Sequence, residues 1–263
     1  MATRFYLPAS GTPPLPDAVV DGQWEMSNVE RLPMYTFHSG TALTTRTVAW
    51  GVVSGSKDWC WWQFQSPPLA KPVTFTQSDT FRGVVGKCAE TTTNGNSFLV
   101  SLLKVVSGDG TLKAVLHPSL LSGGPEFDVV AAASTRLQAT TNLLLAYTAS
   151  VGDYLIIEVG PRGASPANEN VQLRTGDPAG VADFAFTASL TTDLVPWFEV
   201  SADVDFGETN FDCHWVDSVA LGTSLTLKPE QSLPVTLTVA AGQIIPIKSK
   251  LYGSTAVSVG LPR

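Results

Sequence analysis

The chain is short of charge, cysteine and histidine. Of its 263 residues only 15% are Asp, Glu, Lys or Arg, against a typical value of about 25%. The 16 Lys and Arg are scattered singly and the formal net charge is -7. A nucleic-acid binder needs a basic stripe to neutralise phosphates, so neither nucleic acid nor an anionic membrane surface is an expected partner. No apolar run approaches the roughly 20 residues of a spanning helix, and the first ten residues have no apolar core of a signal peptide. Three cysteines, Cys60, Cys88 and Cys213, are an odd and sparse set. They argue against a disulfide scaffold and for folding in a reducing cytoplasm.

What is present favours strands and turns. Apolar residues make up 44%, and 28 Thr, 23 Ser, 22 Gly and 18 Pro accompany them. That mixture suits β-structure and suits long amphipathic helices poorly. Residues 1–30 read as an extended arm, because Pro8, Pro13, Pro14 and Pro16 lack the N–H a sheet centre needs. Such an arm reaches a neighbouring subunit or closes its own domain. Strand candidates then recur at 8–12-residue spacing, among them Leu32–His38, Trp59–Gln65, Thr80–Glu90, Ser97–Val106, Tyr154–Val159 and Trp197–Ala202. Ser107-Gly108-Asp109-Gly110 reads as a tight hairpin. Ala131–Thr140 is the one weak helix candidate. The expected fold is all-β: an antiparallel β-sandwich of the jelly-roll type over residues 31–204, then a small β domain over 205–263.

Chemistry is sparse. His38, His117 and His214 stand apart, and His214 beside Cys213 points to the opposite face of any strand. Each reads as a surface residue or a satisfied structural one. No zinc-protease, serine-hydrolase, paired-cysteine or phosphate-loop pattern occurs, and the chain is not expected to be an enzyme. Asp177, Asp183, Asp203, Asp205, Glu208 and Asp212 lie in turn-like stretches. An acid/base pair or a structural calcium ion is possible there, without a locatable site, but turn-forming Asp accounts for them as well. No other cofactor is expected. In Trp59-Cys60-Trp61-Trp62-Gln63-Phe64, alternation sets Trp59 and Trp61 on one face and Cys60, Trp62 and Phe64 on the other. The Trp59 and Trp61 face is covered by a second layer, buried at an interface, or open for stacking on sugar rings.

The opening "RFYLPASGTPPLPDAVVDGQWE" resembles a recurrent family of bacteriophage virion proteins. So, in order, do "DWCWWQFQSPPLAKPVTF", "FLVSLLKVVSGDG", "SVGDYLIIEVGPRG" and "LRTGDPAGVADF", a series that spans roughly residues 3–203. "HSGTALTTRTVAW" departs from the pattern. The tail, with Ala241-Gly242-Gln243-Ile244-Ile245-Pro246-Ile247 and Gly253-Ser254-Thr255-Ala256, resembles the small β domain of phage head-spike-base and decoration proteins. The resemblance implies a structural protein of the virion, most simply a capsid decoration (cement) or head-spike protein on the head surface, assembled in the host bacterial cytoplasm. Its partners would be the major capsid protein or other virion proteins, and it would form a homo-oligomer, with a trimer favoured. Candidate interface residues are Arg4, Phe5, Tyr6 and Leu7 of the arm and Ile244, Ile245 and Ile247 of the tail. The alternative is a tail- or fibre-associated module that holds host glycans on Trp59 and Trp61.

Overall fold

The computed structural model describes residues 2–21, 24–50, 57–91, 97–121, 125–163 and 169–207. The chain divides into two units, Met1–Asn210 and Phe211–Arg263, and all the described residues belong to the first. The tail candidates Ile244, Ile245 and Ile247, with His214, Cys213, Glu208 and Asp212, lie outside the described residues, as does nearly all of the expected 205–263 domain.

Among the described residues the regular structure is all strand apart from one 3-10 turn. In order they form β1 (Thr3–Tyr6), β2 (Glu25–Pro33), β3 (Thr44–Trp50), β4 (Lys57–Pro68), β5 (Val73–Phe75), β6 (Thr80–Glu90) and β7 (Phe98–Val106). Then follow β8 (Leu112–Leu121), β9 (Asp128–Val129), β10 (Ser134–Asn142), β11 (Tyr147–Ala149), β12 (Tyr154–Gly163), β13 (Glu169–Thr175) and β14 (Trp197–Val200). One sheet runs β1-β14-β6-β13-β3, with β10 and β9 also on β6, and a five-stranded sheet runs β2-β4-β12-β7-β8. β5 and β11 form a short ribbon. Pairing is antiparallel except for β2 on β4 and β9 on β6, which are parallel.

The two large sheets face each other across one core. Phe5, Phe81, Val85, Val171 and Phe198 come from one side, and Trp61, Phe64, Leu103, Val105, Leu155 and Ile157 from the other. The fold is an all-β sandwich. β7 is apolar on both faces, as a covered strand should be. Leu103 and Val105 enter the main core, while Val100, Leu102 and Val106 pack on the opposite face. The β7–β8 hairpin turns at Ser107–Thr111, where the Gly110 φ of +81° takes the left-handed region that glycine tolerates.

Two expectations are corrected, and one strand is added. The helix proposed over Ala131–Thr140 is a single 3-10 turn at Val130–Ala132 followed by β10. Thr135, Thr140 and Thr141 favour strand, and pairing with β6 supplies the backbone partners. The first strand of the five-stranded sheet runs Glu25–Pro33 and stops short of His38. "TTRTVAW", inside the stretch where the family resemblance is loose, is β3, an edge strand paired with β13 alone.

Candidate functional site

The N-terminal segment touches both sheets. β1 lies antiparallel to β14, with Arg4 opposite Glu199 and Phe5 opposite Phe198. Phe5 is 1% exposed and Leu7 0%. Both belong to the core of their own chain, so of the four arm candidates only Arg4 and Tyr6 keep surface that a partner could touch. These two point to the outer face of the seven-stranded sheet. Arg4 donates to Asp183 at 2.8 Å and to Glu199 at 3.0 and 3.2 Å. Its guanidinium lies 3.9 Å from the Trp197 ring centroid. The Tyr6 hydroxyl donates to Asp183 at 2.9 Å, and His38 Nε2 meets the other Asp183 oxygen at 2.9 Å. Arg82 joins from β6 with two bonds to Glu199 at 2.5 and 2.8 Å.

This cluster is a closed electrostatic unit. Burial works against the Arg4 charge, but Asp183 and Glu199 outweigh it and raise its pKa. Burial and the Asp183 carboxylate push Tyr6 up to about 12, so it stays a protonated donor. Both Asp183 oxygens already accept. The arrangement fixes β1 and the 183–195 loop on the sheet and leaves no open acid/base pair.

Past Leu7 the chain crosses to the outer face of the five-stranded sheet, where residues 15–21 form a strap. Leu15 and Ala18 pack on Val106 and Ile156, and Val20 and Trp24 on Cys60, Val100 and Leu102. Between these apolar ends lies a polar seat made of Gln63, Gln65, Lys104 and Glu158, each 0% exposed. Lys104 and Glu158 form an ion pair at 2.5 Å. In register Lys104 faces Ile156 and Glu158 faces Leu102, so the pair is a diagonal one on a single face. The remaining capacity of these side chains goes to the strap's main chain. Lys104 Nζ donates to the Val19 carbonyl. Gln63 Nε2 donates to the same carbonyl at 3.0 Å and to Glu158 at 2.9 Å. Gln65 accepts from Leu15 N–H at 2.8 Å and donates to the Leu15 carbonyl at 2.7 Å. Asp21 N–H donates to Glu158 at 3.2 Å.

Sequence reasoning did not single out this seat. Its signal was one Lys in the apolar run of β7 and one Glu in that of β12, with Gln63 and Gln65 two residues apart in β4. What the sequence withheld was the register that makes them neighbours.

The tryptophan strand departs from simple alternation. Val159 pairs with Trp62 and Arg162 with Asp58. Three β4 residues, Trp59 to Trp61, therefore oppose two in β12, which is a β-bulge. Gly160 lies against it, where a Cβ would collide with the Trp59 carbonyl oxygen. Past the bulge Trp61 and Trp62 both enter the main core, at 1% and 2% exposure, while Cys60 faces the strap. Trp59 packs partly buried on the same core. Trp61 thus has no open ring face for a sugar, and the Trp59–Trp61 platform is not formed.

The carboxylates of the described turns, Asp177, Asp183, Asp203 and Asp205, have partners. Asp177 is fully buried and accepts from the Ser39 and Thr41 main-chain N–H groups and hydroxyls. Asp205 accepts from Lys71 at 2.6 Å. Among the described residues no group of three or more His, Cys, Asp or Glu is arranged to hold a metal ion. Burial raises the pKa of Cys60, and pushes Cys88 up to about 12. Both are unreactive as thiolate nucleophiles.

Apolar surface collects at one end of the sandwich. Leu112, Leu144, Leu145 and Val151 are 40%, 57%, 44% and 60% exposed. Their turns are tied together. Leu144 N–H donates to the Leu116 carbonyl at 2.9 Å. Lys113, beside Leu112, bridges to Asp153, beside the Val151 turn, at 2.7 Å. Compared with known proteins, the chain matches no family model and no curated sequence.

Proposed function

We propose that the protein is a structural component of a phage virion, a capsid decoration or head-spike protein built on a jelly-roll-type sandwich and working as a homo-oligomer, with a trimer favoured. The ordered resemblance over residues 3–203 motivates this reading. The structural observation that supports it best is the apolar end formed by Leu112, Leu144, Leu145 and Val151. Four large apolar side chains standing out of tied turns, on a chain otherwise poor in charge, suit burial against another protein. The major capsid protein is the partner this reading requires. Burial at a capsomer junction would then stabilise the head by removing apolar area from water.

The test is co-sedimentation with purified heads. Wild-type protein is expected to pellet with heads at saturable stoichiometry. Leu144→Asp combined with Leu145→Asp should weaken that binding at least tenfold while leaving the melting temperature unchanged. Absence of wild-type binding, or equal binding by the double variant, overturns the assignment.

A further inference from the structure

We propose that the N-terminal segment is exchangeable: residues 2–21 of one chain, β1 and the strap together, seat on a second copy, filling the place that the chain's own segment fills in the single molecule.

The seat recognises main chain. Gln63, Gln65, Lys104 and Glu158 contact the carbonyls of Leu15 and Val19 and the N–H groups of Leu15 and Asp21. Such bonds are the same whichever copy supplies the segment. The side chains that also fit, Leu15, Ala18 and Val20, commit the seat to this sequence. A second copy is the partner that carries it. Exchange preserves each of these interactions, so its cost in interaction energy is small.

The seat's charges ease opening. Lys104 and Glu158 are fully buried, and the strap's main chain bonds both. Taking an ion out of water costs several kcal/mol, so lifting the strap returns that hydration and offsets part of the hydrogen bonding and packing that holds it down. A wholly apolar face would gain nothing. The lifted segment has little to form by itself. Pro8, Pro13, Pro14 and Pro16 remove main-chain donors and hold it extended. β1 travels with the strap, and its sheet pairing is with β14, from the far end of the sandwich sequence.

Val19 and Thr111 are both exposed, and Val19 N–H reaches the Gly110 carbonyl at 3.3 Å, so residues 19 and 111 sit side by side across the joint. In a Cys213→Ser background, with Cys60 and Cys88 fully buried, a full-length Val19→Cys chain is co-expressed with a full-length Thr111→Cys chain. A short bis-maleimide is then added. Exchange predicts a covalent two-chain product, reduced at least tenfold by Glu158→Lys, which replaces the seat's ion pair with two cations. A chain carrying both Val19→Cys and Thr111→Cys confirms that the pair can be linked. The proposal is overturned if that chain links only within itself while the co-expressed pair gives no two-chain product, or if Glu158→Lys leaves the product unchanged. The inference rests only on the oligomeric part of the proposed function. The cross-link is read without heads present, so failure of head binding and failure of exchange are separate results.

Discussion

The His117 side chain shows how burial alone sets chemistry. Its ring lies 5.1 Å from Phe81, the residue is 0% exposed, and neither ring nitrogen meets a hydrogen-bond partner among the described residues. Burial lowers the pKa from its ordinary 6.5, outweighing main-chain groups of Pro118 and Ser101 that favour the charged form. The unfolded chain takes up this proton near pH 6.5 while the folded chain refuses it until lower pH. Stability from the neutral ring is therefore complete above pH 6.5, declines as pH falls through that value, and levels off below the folded pKa. Urea unfolding should show a loss between pH 7 and pH 5 of at most about 1.4 kcal/mol per pH unit from this group. His117→Phe should remove that component of the slope, and an unchanged slope would count against the argument. The sequence alone reads His117 as a surface or satisfied structural residue, and a core position with unpartnered ring nitrogens departs from both. It could not show the missing partners, because Phe81 and the neighbouring strands are remote in sequence.

At the scale of single strands, alternation located the core wherever the strand was regular. β7 and β12 were legible as strands, and the β7–β8 turn was legible from its Ser-Gly-Asp-Gly. Alternation failed at β4, where one extra residue turns Trp61 and Trp62 to the same side. Gly160, the residue that makes room for the bulge, lies about 100 positions away. It failed also for β10, whose Ala-rich approach hides a strand that depends on β6. The strap and its seat yield a sharper test of element-level energetics. Lys104→Met removes one partner of a fully buried ion pair and leaves Glu158 charged and uncompensated. Such a loss costs about 3–5 kcal/mol. Lys104→Met together with Glu158→Leu removes both charges and should recover most of it. Hydrogen exchange should locate the effect, with the Leu15 and Asp21 amides losing protection first in the single variant. If the single and double variants are equally stable, the seat is not an ion pair of the kind described.

At the scale of the molecule, the first unit is a two-layer body whose first residues are part of both layers. The sequence made the first 30 residues look like an appendage, because prolines and exposed turns mark them. The packing makes them structural. Burying a large apolar side chain contributes about 1.5–3 kcal/mol, so Phe5, Leu7, Leu15 and Val20 together contribute roughly 6–12 kcal/mol as an upper bound. The whole stability of an ordinary domain is about 5–15 kcal/mol. A chain lacking residues 2–21 is therefore expected to lose cooperative unfolding, with near-ultraviolet circular dichroism collapsing toward that of the denatured protein. A truncated chain that melts within about 5 °C of the full chain would refute this. The consequence for function is direct. For the head binding proposed above, loss on truncation would report unfolding, whereas Arg4→Gln and Tyr6→Phe act on the half-buried outer face of β1 while Phe5 and Leu7 keep the strand in place. Only such point variants, with melting temperature measured alongside, separate a contact made by the arm from the arm's place in the fold.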